Sequence, residues 1–117
     1  MSRSTPDRLR DIIYSAELAV HHAGDLDAAA LARSPGVRDA VLYRLAVVCE
    51  AANHLPTEFK ALAPEIPWRE MRAMRNYIVH DYWQIDLSMV VDTIAHDLEP
   101  LTNSVRRLIA LSDSGAR

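Results

Sequence analysis

The apolar residues of this chain recur every three or four positions, and this periodicity restricts what the chain can fold into. The longest run alternates spacings of four and three through Leu87, Val91, Ile94, Leu98, Leu101, Val105 and Leu108. Such spacing places apolar side chains on one face of an α-helix that packs nearly parallel or antiparallel to its neighbours. Strand-like alternation is essentially missing, and the chain has only three glycines. The sequence therefore predicts an all-α fold, an antiparallel helical bundle.

Cap and breaker residues divide this pattern into helices. Proline directly after Thr5 and directly after Ser34 predicts two helix starts. Gly24 and Pro56 predict helix ends. The predicted helices cover residues 6–22, 25–33, 35–54, a short part of 57–67, 67–80, and a last helix from 87 to 108 that Asp86 caps and Pro100 bends.

Length and composition are those of one compact domain. The chain has 117 residues, half of them apolar, and a formal net charge of -3. We expect a single domain over residues 1–117, with an ordered core of about 5–112 and frayed ends. Because the net charge is negative, any nucleic-acid contact must rest on a local basic patch. No signal-like block follows the polar N-terminus and no apolar run approaches a membrane span, so we expect a soluble, cytoplasmic protein without membrane contact.

The helix predicted over 35–54 carries two stripes of side chains. The first is apolar and consists of Val37, Val41, Leu45, Val48, Ala52 and Leu55. The second consists of Tyr43, Val47, Glu50 and His54. One stripe can face the core, and the other needs a different cover. A second copy of the chain is one candidate cover, and burial of both sides within the same domain is the other.

Three kinds of catalytic or metal site are disfavoured by the sequence. Cys49 is the single cysteine and lies in the apolar run LAVVCEAA, which predicts a buried thiol rather than a nucleophile. The five histidines do not show the close spacing of a metal-binding helix. The nucleophile motif of the α/β-hydrolases, G-x-S-x-G, does not occur. We therefore predict no metal and no other cofactor.

The segment RNYIVHDYW, residues 75–83, concentrates the polar and aromatic chemistry of the chain. Arg, Asn, His and Asp side chains cost free energy to bury without partners, so this segment is the candidate functional site. On an ideal helix Arg75 and Tyr82 share a face, whereas His80 points about 140° away from Arg75. Arg75 and His80 converge only if the helix ends or distorts near His80, or if a partner chain supplies one of them.

Neighbouring residues extend the candidate site and also permit ordinary structural explanations. Arg69, Arg72 and Arg75 follow one another at spacings of three and form a basic ridge that leads into the candidate site. A solvated arginine face on a surface helix explains the same pattern equally well. Tyr77 and Trp83 could stack bases, although such aromatic residues are more often core anchors.

The run PEIPWREMRAMRNYIVHDYWQIDLSMVVDTIAHDLEPL, with AVVCEAANHL upstream, resembles the HepT-like branch of the HEPN superfamily. The signature of that branch is Arg, four residues, His, any residue, Tyr, and it matches Arg75, His80 and Tyr82. Asn76 matches the polar residue that often follows the arginine. The resemblance covers residues 7–110, and Cys49 departs from it because relatives commonly have a glycine there.

The resemblance implies a homodimeric, RNA-cleaving toxin with the motifs of both chains in an interfacial cleft. It implies catalysis by Arg75 and His80 with Asn76 orienting the site, since histidine suits proton transfer and arginine suits a scissile phosphate. It also implies an antitoxin partner of the minimal nucleotidyltransferase type, which in some pairs transfers AMP to the motif tyrosine, here Tyr82. Two alternatives stay open, a catalytically silent dimer that is only bound and modified, and a Tyr82 that is only an interfacial tyrosine.

Overall fold

The computed structural model describes residues 3–115, with side chains described through Asp113. Seven α-helices and one 3₁₀ turn follow one another in this part of the chain, which contains no strand. The helices are α1 (Thr5–Ala23), α2 (Ala28–Ala32), α3 (Pro35–Asn53), α4 (Thr57–Lys60), α5 (Trp68–His80), α6 (Leu87–His96) and α7 (Leu98–Gly115), and the 3₁₀ turn at Tyr82–Gln84 lies between α5 and α6. The prediction of an all-α fold is confirmed.

Residues predicted to start and end helices lie at the boundaries of α1 and α3. Ser4, rather than the predicted Thr5, caps α1, because its hydroxyl accepts a hydrogen bond from the Asp7 backbone N–H. The helix ends at Gly24, which has a positive φ of 51° that a residue with a side chain rarely adopts. Ser34 occupies the predicted cap position of α3 but makes no side-chain capping bond. The starts of both long helices are thus predicted correctly to within one residue.

The last predicted helix is two helices. Asp86 caps α6 as predicted, with its carboxylate accepting from the N–H groups of Ser88 and Met89. Helix α6 then ends at His96, and α7 begins at Leu98. Pro100 has no N–H for the carbonyl of His96 and its ring crowds that carbonyl, so the helix breaks one turn before the proline instead of bending through it.

Helix α3 lies at the centre of the bundle. It packs against α1 on one side and α5 on the other, and α1 in turn packs against α7. The most completely buried large side chains come from five of these helices, and they are Leu9, Ile12, Leu31, Val41, Leu42, Leu45, Val48, Val90, Val105 and Leu108. The apolar stripe predicted on α3 supplies three of these residues, Val41, Leu45 and Val48, so its assignment to the core is confirmed.

The second stripe of α3 remains uncovered within the described chain. Tyr43 is 61% exposed, His54 is also exposed, and Val47 and Glu50 are partly exposed. We call Tyr43, Val47, Glu50 and His54 the outer stripe. Burial of both sides of α3 within its own domain is therefore incomplete, because among residues 3–115 Arg75 of α5 reaches Glu50 while Tyr43 and His54 stay exposed.

Helices α3 and α5 run antiparallel to each other. Arg75 of α5 contacts Glu50 near the end of α3, and Tyr82, seven residues later, contacts Asp39 near the start of α3. No helix between residues 3 and 115 is long and apolar enough to cross a membrane. Of the ends predicted to fray, residues 1–2 and 116–117 lie outside the described residues, and α7 continues to Gly115.

Candidate functional site

Helix α5 is anchored at its start by a tryptophan and ends before the motif tyrosine. The Trp68 indole N–H lies 3.1 Å from the backbone oxygens of both Lys60 and Ala63, which fixes α5 to the preceding segment. At the other end, the N–H of Asp81 donates to the Tyr77 carbonyl and closes the last turn after His80. The Tyr77 hydroxyl accepts from the Asp86 N–H at 2.8 Å and fixes the chain after the 3₁₀ turn.

Arg75 is held by two acceptors and remains open to solvent. Its Nε donates to Glu50 Oε1 at 2.9 Å, and its Nη1 donates to Asn76 Oδ1 at 3.2 Å. The Arg75 side chain is 34% exposed and the Glu50 side chain 44%. A guanidinium has five N–H donors in a planar fork, and these two contacts leave three for a ligand. Asn76 thus contacts Arg75, and its role in orienting the site stays a prediction.

The Glu50 carboxylate also faces an imidazole. Its Oε2 lies 3.7 Å from Nδ1 of His54, one helical turn further along α3. The same Nδ1 lies 2.9 Å from the main-chain oxygen of Glu50. Glu50 therefore links Arg75 and His54, so that a guanidinium, a carboxylate and an imidazole share one exposed surface at the C-terminal end of α3.

His80 does not share that surface within one chain. It is the last residue of α5, so the helix continues undistorted from Arg75 to His80. Five residues on an α-helix rotate the two side chains about 140° apart. His80 is exposed, and its ring has no hydrogen bond or ion pair within the part of the chain that the structure describes. The helix therefore does not end early enough to bring Arg75 and His80 of one chain together. A partner chain that supplies one of the two residues is the other way in which they could converge.

Tyr82 lies at the opposite end of α3 from Arg75. Its hydroxyl donates a hydrogen bond to the Asp39 carboxylate, and Arg38 Nε lies 3.3 Å from the same carboxylate. Asp39 and Glu50 are eleven residues apart on α3, or roughly 16 Å at 1.5 Å per residue. The prediction that Tyr82 shares the face of Arg75 is wrong for a single chain, because α5 ends at His80 and the helical spacing does not extend to Tyr82.

The hydrogen bond between Tyr82 and Asp39 shifts the pKa of both groups. It lowers the pKa of the Asp39 carboxyl, because the bond favours the ionised form, and Arg38 adds to the effect. It raises the pKa of the Tyr82 hydroxyl, because the bond needs the phenolic proton and the carboxylate charge repels a phenolate. Tyr82 is therefore held protonated and oriented towards α3.

The two aromatic residues of uncertain role have different environments. Tyr77 is half-buried and its hydroxyl is used in the loop contact with Asp86, which supports the structural explanation. Trp83 is 90% exposed, so the core-anchor interpretation is wrong for it. The 3₁₀ turn directs Tyr82 towards the bundle and its neighbour Trp83 away from it, and the two rings meet edge to face at 5.5 Å.

The remaining predicted residues lie where the sequence placed them. Arg69 and Arg72 are exposed on α5, and neither forms an ion pair with any of residues 3–115. Cys49 is buried, and burial raises the pKa of its thiol to about 12, which opposes a nucleophilic role. Within the same residues no cluster of three or more His, Cys, Asp or Glu side chains could hold a metal ion.

Sequence reasoning missed three residues that contact the candidate site. Glu50 and His54 were recognised only as members of a surface stripe, and Asp39 was not recognised at all. Glu50 and His54 are four residues apart in the sequence, and this helical spacing could have identified them as a pair. Nothing in the sequence alone brings α3 to α5, because that contact depends on the packing of helices distant in the chain.

Comparison with known proteins agrees with the motif. The family model of the HepT-like ribonucleases matches residues 8–108. "Probable ribonuclease HepT" of Thermococcus cleftensis is 32% identical over 108 residues, which is 92% of this chain and 98% of that protein. "Putative RNase MJ1380" of Methanocaldococcus jannaschii is 28% identical over 97 residues, 83% of this chain and 89% of that protein.

A more distant relative extends the same similarity to another organism. "Putative RNase TTE0752" of Caldanaerobacter subterraneus subsp. tengcongensis is 23% identical over 101 residues, 86% of this chain and 90% of that protein. No solved structure matches the chain significantly. Because the family model spans most of the chain and one relative exceeds 30% identity across nearly its full length, the family is established. This chain belongs to the HepT-like ribonuclease family.

Proposed function

We propose that this protein is a metal-independent endoribonuclease, the toxin of a toxin–antitoxin pair, acting on RNA in the cytoplasm. The observation that carries the proposal is the state of Arg75, which is oriented by Glu50 and Asn76 and keeps unused N–H donors at an exposed surface. A planar guanidinium with free donors suits a phosphodiester, because it can bind two of its oxygens at once.

The chemistry requires a phosphate holder and groups that move protons. Arg75 would bind the scissile phosphate and stabilise the charge that develops on it. His80 would transfer a proton to or from the reacting oxygens, which is the usual task of histidine near neutral pH. Attack by the neighbouring ribose 2′-oxygen on phosphorus needs no metal. Arg69 and Arg72 would bind flanking phosphates along the ridge of α5.

The working unit would be a homodimer. Two observations support it: Tyr43 and His54 of the outer stripe stay exposed within the described chain, and Arg75 and His80 of one chain point in different directions. A second copy can cover the stripe and bring its own His80 to Arg75. Light scattering should give twice the 13.1 kDa mass of one chain at tens of micromolar. A monomer at that concentration would contradict the composite site.

Cleavage of RNA by purified variants tests the proposal. Arg75→Ala and His80→Ala should each abolish cleavage while keeping the helical circular dichroism of the wild type. Arg33→Ala is the matched control, because Arg33 is an exposed arginine outside the site and its loss should leave cleavage unchanged. EDTA should leave wild-type cleavage intact. Full cleavage by either site variant would contradict the assignment, and no cleavage by the wild type would favour the silent dimer.

The antitoxin would be a nucleotidyltransferase that modifies Tyr82. An adenylyl group on its hydroxyl would replace the hydrogen bond to Asp39 and add bulk and negative charge at the start of the outer stripe, which would block an interfacial cleft. Incubation with that enzyme, ATP and magnesium should add AMP to the intact mass. Tyr43→Phe should still gain AMP and Tyr82→Phe should not. Tight binding without any mass change would mean that the antitoxin works by occlusion.

A further inference from the structure

We propose that His54 is a second proton-transfer residue of this site, the general base that takes the proton of the ribose 2′-hydroxyl. This inference rests on the proposed ribonuclease function and assigns the complementary role, general acid, to His80. The family motif does not include His54. Three observations support this role of His54: the tautomer of its ring, its contact with the same Glu50 carboxylate that binds Arg75, and the direction in which His80 points.

The surroundings of His54 fix which ring nitrogen carries the proton. Nδ1 lies 2.9 Å from the main-chain oxygen of Glu50 and 3.7 Å from its Oε2. A carbonyl oxygen and an ionised carboxylate oxygen can only accept hydrogen bonds. Nδ1 must therefore carry a hydrogen in the neutral ring, and Nε2 keeps its lone pair. The side chain of His54 is 46% exposed, so that a substrate can reach this nitrogen.

Glu50 brings this imidazole and the phosphate holder to the same surface. One carboxylate oxygen is bound to Arg75 Nε at 2.9 Å, and the other faces His54 Nδ1. Arg75 and His54 of the same chain therefore face the two oxygens of one carboxylate, so a phosphate bound by the free donors of Arg75 would share the exposed surface of the imidazole.

His80 cannot fill this position from the same chain, because it points about 140° away from Arg75 on α5. Cleavage of RNA by its own 2′-hydroxyl needs one group to accept a proton and another to donate one. His54 of the chain that holds the phosphate and His80 of a second copy supply the two groups without requiring any distortion of α5.

The proposed step is balanced as follows. Nε2 of neutral His54 takes the 2′-hydroxyl proton while the 2′-oxygen forms a bond to phosphorus. The bond between phosphorus and the 5′-oxygen breaks, and protonated His80 gives its proton to that oxygen. The products are a 2′,3′-cyclic phosphate and a 5′-hydroxyl, with one proton gained by His54 and one lost by His80.

His96 of the same chain provides a control that distinguishes a catalytic role of His54 from a purely structural one. His54 is the C-cap residue of α3, and its contact with a carbonyl one turn earlier can simply stabilise the helix end. His96 makes the same contact at the end of α6, where its Nδ1 lies 3.1 Å from the Asp92 carbonyl. If capping alone matters, His54→Gln and His96→Gln should have similar effects.

The decisive experiment compares two dinucleotide substrates, one with the natural 5′-oxygen and one with sulfur in its place. Sulfur leaves as a thiolate without needing a proton, because thiols are far more acidic than alcohols. On the natural substrate His54→Gln and His80→Gln should each cleave at least about 100-fold more slowly than wild type, and His96→Gln should cleave normally. On the sulfur substrate His80→Gln should recover, whereas His54→Gln should stay slow.

Each other outcome has a definite meaning. Normal cleavage by His54→Gln, or equal losses in His54→Gln and His96→Gln, would overturn the role of His54 and leave the proposed ribonuclease function standing. Recovery of His54→Gln on the sulfur substrate would overturn its assignment as the base. Absence of cleavage by the wild-type protein would overturn the proposed function and this inference together. Circular dichroism of every variant at the assay temperature excludes loss of fold as the cause.

Discussion

Replacing Arg75 by alanine should remove function while costing the fold little. Arg75 makes one ion pair, to Glu50, and both side chains are substantially exposed, at 34% and 44%. Ion pairs of this exposure contribute about 0.2–1 kcal/mol, because water and salt screen them and two long side chains must be ordered. The bond to Asn76 is also exposed and adds little. We therefore expect Arg75→Ala to lower the free energy of unfolding by about 1 kcal/mol or less.

Leu45→Ala provides the contrasting magnitude. Leu45 lies on the core side of α3 and is 1% exposed, and truncation of such a leucine costs about 2–5 kcal/mol through lost burial and the cavity that remains. One kcal/mol corresponds to roughly 4 °C in Tm for a domain of this size. Arg75→Ala should thus lower Tm by about 4 °C or less relative to wild type, and Leu45→Ala should lower it by about 8 °C or more.

Urea and thermal unfolding followed by helical circular dichroism measure both quantities. All proteins must be compared at one protomer concentration, because the stability of a dimer depends on concentration. A double-mutant cycle with Glu50→Ala isolates the ion pair and should give a coupling below about 1 kcal/mol. A loss above about 3 kcal/mol in Arg75→Ala would refute the reasoning, since Arg75 would then be a structural residue and its effect on cleavage would say nothing about catalysis.

Three further predictions concern other parts of the molecule. Cys49 should not react with a thiol reagent at pH 8 until the protein unfolds, because burial raises the pKa of its thiol to about 12; rapid labelling of the folded protein would contradict this. Asp39→Asn should lower the pKa of Tyr82 towards its ordinary value, measured by NMR of labelled tyrosine rings, and an unchanged pKa would show that the bond is not formed in solution. In the wild type, that bond should stabilise the fold at pH values above the ordinary pKa of aspartate and below that of tyrosine. This contribution is lost as pH falls through the lowered Asp39 pKa, and it is lost as pH rises through the raised Tyr82 pKa. Plots of unfolding free energy against pH for wild type and Asp39→Asn should therefore differ between these limits and converge outside them.

Most of the fold could be predicted from the sequence because it depends on local signals. The periodic apolar positions of α1, α3 and α7, and the cap at Asp86, each involve residues within one or two turns of each other. The break at Asp97 was predicted as a bend at Pro100, since a missing N–H shows where a helix is weakened but not whether it bends or ends there.

The candidate site was predictable only in part. The motif identified Arg75, His80 and Tyr82, and α5 was located correctly. The partners of these residues could not be predicted, because Glu50 and Asp39 come to α5 through helix packing across long stretches of chain. The displacement of Tyr82 was missed because the helical spacing from Arg75 was extended two residues beyond the predicted helix end, whereas the chain forms a 3₁₀ turn at Tyr82.

The chemical ends of the RNA fragments test the central claim most directly. Purified protein and a defined RNA should be incubated in EDTA, and the fragments analysed by mass spectrometry. Cleavage through the 2′-hydroxyl by Arg75 and histidine predicts a 2′,3′-cyclic phosphate on one fragment and a 5′-hydroxyl on the other. Fragments with 3′-hydroxyl and 5′-phosphate ends, or cleavage that occurs only when a divalent metal is added, would contradict the account.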